Sequence, residues 1–145
     1  MSARVTPVEQ RDLDVRIPSD VRYIEAIVEQ VVLRCAAHSY PRRHLSLNVP
    51  VALTEALSNA ILRGNRDDAT RSVHVHADVT ASRLVLEVRD EGRGFDLDGC
   101  TEDPTTPENL LREDGRGLFL MRRLMDRVER FSDGGNVVSL ILNRA

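Results

Sequence analysis

The chain has 145 residues, a net charge of −3 and an apolar share of 41%, enough for one domain that buries about two-thirds of its unfolded surface. Aromatics make up 3%, Trp is absent and every basic residue is Arg; the core must be aliphatic, and neither a basic field nor a set of stacking rings is present for nucleic acid. No apolar run reads as long enough to cross a membrane and no charged-then-apolar leader opens the chain; Cys35 and Cys100 lack metal or redox spacing, so a reduced, cytoplasmic protein without membrane contact is expected.

Residues 1–11 lack periodicity and read as a loose lead-in. Leu13, Val15 and Ile17 alternate with Asp12, Asp14 and Arg16 as in a half-buried strand. Pro18 ends it, and Ser19-Asp20 suits the start of a helix that runs to about His38, with Val21, Ile24, Val28, Val31, Val32 and Cys35 on its apolar face. The segment SYPRRHLSLN is a connection or the first turns of the next helix. Pro50 belongs in a first helical turn, which places a helix start near Val49. Leu53, Ala56, Leu57, Ala60 and Ile61 then form a helical stripe, and Gly64-Asn65 would close it in a left-handed conformation.

After a charged turn at RDDAT, Val73, Val75, Ala77 and Val79 alternate with polar residues, as do Leu84, Leu86 and Val88; the short Thr80-Ala81-Ser82 link makes a hairpin. From Asp96 to Asp114 the chain is irregular, and long loops in compact domains tend to be functional or disordered. Leu118, Met121, Leu124, Met125 and Val128 fall at helical spacing, and Asp133-Gly134-Gly135 turns into a last strand with Val138, Leu140 and Leu142 on one face. Antiparallel neighbours with one apolar face and few helices predict a single α+β domain over residues 1–145: a two-layer sandwich, its sheet mixed but mostly antiparallel, with helices on one face.

Three polar features stand out against this frame. Glu55 and Asn59 lie one turn apart beside the apolar stripe, their Cβ atoms about 6 Å from each other. That pairing serves a metal, a phosphate or a proton transfer, although such pairs are common on solvated helix faces. Asp90 ends a strand and is followed by Gly92 and Gly94, residues that let backbone approach a ligand. As an acceptor, Asp90 suits an amino group such as that of adenine. No helix follows immediately, so this is no Rossmann fingerprint. Gly115 and Gly117 stand at a helix start, where free N–H groups favour phosphate, but the Gly-Lys-Ser/Thr ending of a P-loop is missing. His74 and His76 share a strand face with no third metal ligand in view and read as solvated. His38, His44, Asp67-Asp68 and the Met121/Met125 pair carry no pattern of their own.

The order of these features resembles the Bergerat-type ATP-binding fold shared by gyrase and histidine kinases (the GHKL family). Within it the chain is most similar to anti-sigma-factor serine/threonine kinases of the RsbW and SpoIIAB type. TEALSNAILRGN resembles their N box, DEGRGFD their first glycine box, GRGLFLMRRLMDRVE their second and GGNVVSLIL their final strand pair, so the likeness runs from about Val15 to Leu142. The resemblance implies ATP and Mg²⁺ as cofactors, with Asn59 coordinating the metal, Asp90 binding the adenine amino group, and Gly92 and Gly94 passing beneath the base. It further implies that the backbone of Gly115, Arg116, Gly117 and Leu118 holds phosphates, that residues 96–114 form an ATP lid, and that Glu55 is the general base. Arg63 and Arg116 stand near the expected phosphates. The chain departs from the family pattern at Arg63, where His is frequent, and at Asn136, where Thr is frequent.

The implied activity is phosphorylation of a STAS-type anti-anti-sigma protein, with a sigma factor as the other partner and a homodimer as the family's usual state. The alternative is a nucleotide-binding module that sequesters a partner without phosphorylating it. A histidine-kinase fragment is disfavoured, since no helix pair with a phosphoacceptor His precedes the domain.

Overall fold

The computed structural model describes residues 12–92 and 113–145. Five strands, β1 (Asp12–Pro18), β2 (Ser72–Val79), β3 (Arg83–Arg89), β4 (Arg127–Ser132) and β5 (Asn136–Asn143), form one sheet in the order β1-β2-β3-β5-β4. All four pairings are antiparallel, so the expected sheet holds without a parallel pair among the described residues. The alternation written into each strand fixes the register, because a one-residue slip would turn every aliphatic side chain to water. Ile17 faces Val73, Val75 faces Val88, Leu86 faces Leu140 and Leu84 faces Leu142. One face of the sheet is therefore continuous hydrocarbon, while the other carries Asp14, His74, His76 and Glu87.

Helices cover only the apolar face, giving the two-layer α+β sandwich. A 3₁₀ turn, Val21–Tyr23, leads into α1 (Ile24–Ala37); Asp20 caps the turn by accepting from the Arg22 N–H at 2.9 Å. The central α2 (Val49–Asn59) packs against α1 and α3 (Glu113–Leu124). Its Leu53 and Leu57, and Ile61 beyond it, are fully buried, each contributing about 1.5–3 kcal/mol relative to exposure.

Four expectations need correction. The α-helical segment does begin at Val49 with Pro50 in its first turn, but residues 42–64 are one unbroken helix. The preceding turn, His44–Asn48, is π-helical, with the Val49 N–H donating five residues back to the His44 carbonyl. That wide turn accommodates a proline, which has no N–H to give and a ring that crowds a normal α-turn. The resulting 21-residue helix, His44–Gly64, has a mean hydropathy of 1.3 and so meets the length and composition of a membrane span, contrary to the sequence reading. Its apolar stripe faces the sheet and the other helices instead. Gly64 does not close the helix in a left-handed conformation. That conformation falls on Arg66 and Asp67, with φ of 53° and 58°, while Asn65 has φ −95°. Finally, helical spacing overran the end of α3: Val128 lies on β4, whose remaining residues are all exposed and give no alternation to read.

Burial leaves a signature in the titration of the core. Cys35, fully enclosed, has its thiol pushed up to about 12 by desolvation. Tyr40, whose hydroxyl donates to the Thr80 carbonyl at 2.8 Å, is pushed up to about 12 for the same reason. Both folded values lie above the ordinary 9.0 and 10.0. The stability these groups hold is complete below about pH 9 and is lost as pH rises towards 12, where only the unfolded chain can ionise them freely. The melting temperature followed by circular dichroism is expected to fall between pH 9 and 12, and Cys35→Ala to reduce that fall.

Candidate functional site

Glu55 and Asn59 are both half-buried on the side of α2 that meets α3. A Cβ built on Gly117 would lie 2.7 Å from Glu55 Oε1 and 3.3 Å from Asn59 Nδ2. The two polar groups therefore converge on one point of α3 backbone, and glycine there lets the helix come against them. The helix starts at Glu113, two residues before Gly115. Gly115, Arg116, Gly117 and Leu118 therefore lie in its first turns. Of the expected lid, residues 96–112 lie outside the described residues, and Glu113 and Asp114 are already helical. Arg63 is exposed in the π-helical turn Ala60–Gly64 that follows Asn59.

Asp90 lies just beyond β3 and is 4% exposed. Its Oδ1 accepts from the Gly92 N–H at 2.8 Å, the Asn136 N–H at 3.1 Å and Asn136 Nδ2 at 3.2 Å. Oδ2 accepts from the same Nδ2 at 3.2 Å. Three glycines from separate segments close around it. A Cβ on Gly64 would stand 1.8 Å from Asp90 Oδ2, one on Gly92 would stand 2.0 Å from the Gly64 carbonyl oxygen, and one on Gly135 would stand 2.1 Å from the Asp90 carbonyl oxygen. Gly64 is thus a close-approach residue rather than a helix terminator. Gly94 lies outside the described residues.

Sequence reading missed two members of this end of the site and undervalued a third. Asn65 is completely buried. Its Nδ2 donates to Ser19 Oγ at 2.6 Å and to the Ser72 carbonyl at 2.9 Å, and its Oδ1 accepts from the Glu91 N–H at 2.7 Å. One carboxamide therefore ties the end of β1, the start of β2 and the residue after Asp90. Gly135, at φ 148°, was read only as part of a turn. Asn136 was noted as a departure, and the structure makes it a direct partner of Asp90. The Gly-Asn pairs at 64–65 and 135–136 are a local signal, but their shared target is visible only in three dimensions.

On the opposite face of the sheet, Asp14 contacts His74 and comes within 3.9 Å of His76 Nδ1. The hydrogen bond from His74 holds the Asp14 carboxyl below its ordinary range. Among the described residues no group of three His, Cys, Asp or Glu is placed to hold a metal ion.

Residues 17–142 match the family of histidine kinase-like ATPase domains. The chain is 31% identical over 133 residues to the serine-protein kinase RsbW of Bacillus velezensis, a match that covers 88% of this chain and 82% of that one. It is 29% identical, with the same coverage, to RsbW of Bacillus subtilis, and 36% identical over 104 residues to RsbW of Bacillus licheniformis, covering 67% of this chain and 65% of the relative. Among solved structures, the RsbU and RsbW domains of a Mycobacterium tuberculosis protein superpose with a TM-score of 0.62 at 15% identity. That match covers 92% of this chain and 32% of the other, and it bears on the fold alone.

Proposed function

The chain belongs to the histidine kinase-like ATPase family, and we propose that it is an ATP-dependent protein serine/threonine kinase acting as an anti-sigma factor. Its substrate would be a STAS-type anti-anti-sigma protein and its alternate partner a sigma factor, with a homodimer as the working unit. The observation that supports this reading best is the convergence of Glu55 and Asn59 on Gly117. A carboxylate and a carboxamide held together against the first turns of a helix suit phosphoryl transfer, in which positioning and charge neutralisation carry most of the rate.

The residues present fit a nucleotide and its metal. Asp90 is a pure acceptor at the end of a strand, enclosed by glycines where a side chain would fill the space. Asn136 beside it holds a buried amide oxygen with no hydrogen-bond partner among the described residues. At the other end, Gly115 and Arg116 stand in the first turn of a helix, a favourable setting for phosphate. Asn59 offers the hard oxygen that Mg²⁺ accepts alongside water, and bound Mg–ATP would supply the phosphoryl group. In this reading Glu55 takes the proton from the attacking Ser or Thr hydroxyl, Asn59 holds the metal, and Asp90 orients the base.

Purified protein with radiolabelled ATP, Mg²⁺ and a STAS-domain protein encoded nearby should yield labelled Ser or Thr. Tight nucleotide binding with no transfer to any such protein would instead assign a sequestering module. Asn59→Ala is expected to weaken Mg–ATP binding by about tenfold or more, the loss of one ligand to a charged centre. Calorimetry with and without Mg²⁺ would check this, and an equal loss of metal-free ATP binding would remove Asn59 from the metal role.

A further inference from the structure

We propose that Asn65 is a positioning residue for one end of the site, its side chain holding the turn that carries Asp90 against the helix that carries Glu55 and Asn59. This rests on the nucleotide reading above and adds to it a residue that touches no ligand.

Asn65 belongs to two parts of the molecule at once. Its backbone ends the long helix, its N–H donating to the Ala60 carbonyl at 2.9 Å. Its side chain reaches the turn after β3, where Oδ1 accepts from the Glu91 N–H at 2.7 Å, on the peptide unit that leaves Asp90. The amide cannot be turned the other way. A backbone N–H only donates, and the Ser72 carbonyl, 2.9 Å from Nδ2, only accepts. The second hydrogen of Nδ2 goes to Ser19 Oγ at 2.6 Å, and the residue is wholly buried.

Gly64, one residue earlier, lays its backbone against the Asp90 carboxylate. Residues 64 and 65 thus hold Asp90 from two sides, one by contact with its side chain and one by a bond to its main chain. Glu91 is pinned further on, with Ser72 Oγ donating to its Oε2 at 2.6 Å and Arg71 to its carbonyl at 3.5 Å. Without the carboxamide, the Glu91 N–H and the Ser72 carbonyl lose a buried partner and the turn is released from the helix. That release reaches Asp90 first. The contact of Glu55 and Asn59 with Gly117 lies on other segments and stays.

The test is calorimetry of the full chain with adenosine, Mg–tripolyphosphate and Mg–ATP, beside transfer at saturating ATP. The proteins are wild type, Asn65→Leu, Asn65→Asp and Ser19→Ala. Asn65→Leu is expected to weaken adenosine and Mg–ATP binding by about tenfold. Its Mg–tripolyphosphate affinity and saturated transfer rate should stay within about twofold of wild type, a split that general destabilisation does not produce. Ser19→Ala removes one partner of Nδ2 but leaves the bond to Glu91, so it should lower the urea midpoint without moving adenosine affinity. Asn65→Asp at about pH 6 keeps an acceptor for Glu91 and, neutral because buried, an O–H for the Ser72 carbonyl. Its adenosine affinity should lie near that of wild type there and fall towards about pH 9, as ionisation sets a carboxylate against that carbonyl.

Unchanged adenosine binding in Asn65→Leu, an equal fall in all four quantities, or a Ser19→Ala protein as weakened as Asn65→Leu overturns the proposal. Should Asn65→Leu not fold, Asn65→Asp decides, and a pH profile as flat as that of wild type overturns it. Wild type that binds neither adenosine nor Mg–ATP sinks the nucleotide reading as well, whereas the wrong pattern in the variants sinks this inference alone.

Discussion

Glu55→Gln should leave ATP affinity within about threefold of wild type while slowing phosphoryl transfer by roughly 10²–10⁴-fold, the range a positioned general base supplies. Gln keeps the length of Glu, so the contact between residue 55 and the Gly117 backbone survives; what is lost is the ability to take a proton. Asn59 stays one turn away and retains its proposed place at the metal. The two residues are therefore expected to separate in the data, one reporting on transfer and the other on binding. Single-turnover transfer to the STAS protein, measured beside equilibrium ATP binding, makes the comparison. If transfer were unchanged, or if both quantities fell together, Glu55 would not be the base.

The second large effect belongs to a residue with no side chain. Gly64→Ala puts a Cβ 1.8 Å from Asp90 Oδ2 and 2.3 Å from its Cγ. Asp90 cannot swing aside as a long side chain would, since it is short, buried and hydrogen-bonded to Gly92 and Asn136. Either the carboxylate leaves its donors or the π-helical turn Ala60–Gly64 shifts. Overpacking costs about 1–3 kcal/mol and displacing a charged acceptor from its partners a similar amount, so a loss of about 3–5 kcal/mol is expected. ATP binding should fall with it. Gly117→Ala offers the contrast: its nearest neighbour, Glu55 Oε1, is the end of a flexible side chain. There stability should change little while transfer suffers. Urea denaturation of both variants would decide, and a Gly64→Ala protein as stable as wild type would refute the enclosure of Asp90.

How legible these features were depended on how local their causes are. β1, β2, β3 and β5 follow from period-two alternation within a few residues, and the two-layer arrangement follows from that single apolar face. The closing hairpin of β4 and β5 was legible from its Gly-Gly turn, but the start of β4 was not, because its only inward residue, Val128, also fits the helical spacing of Met121 and Leu124. The early start of the long helix was one of two readings of SYPRRHLSLN; proline argued for a start near Val49, and only a preceding π-turn makes the earlier start compatible with it. At the site, Glu55, Asn59 and Asp90 stood out as polar residues at ordered places, and the motif order linked them. The positions of Gly64, Gly135 and Asn136 around Asp90 were not legible, because close approach joins residues 26 to 46 positions apart along the chain. The two Gly-Asn pairs mark the places, but no spacing rule names their shared target.

The ring of glycines around Asp90 also bears on the unfolded chain. Gly64, Gly92 and Gly135 are the freest joints a polypeptide has, and each loses about 0.5–1 kcal/mol more conformational freedom on ordering than alanine would. Together this is about 1.5–3 kcal/mol, a sizeable fraction of the 5–15 kcal/mol that typically separates folded from unfolded. The site is thus built from segments that resist being ordered, and the aliphatic sheet beneath, with Val75, Leu84, Leu86 and Leu140 wholly enclosed, must offset them. Thermal softening would then begin where the glycines meet rather than in the layer of hydrocarbon that supports them.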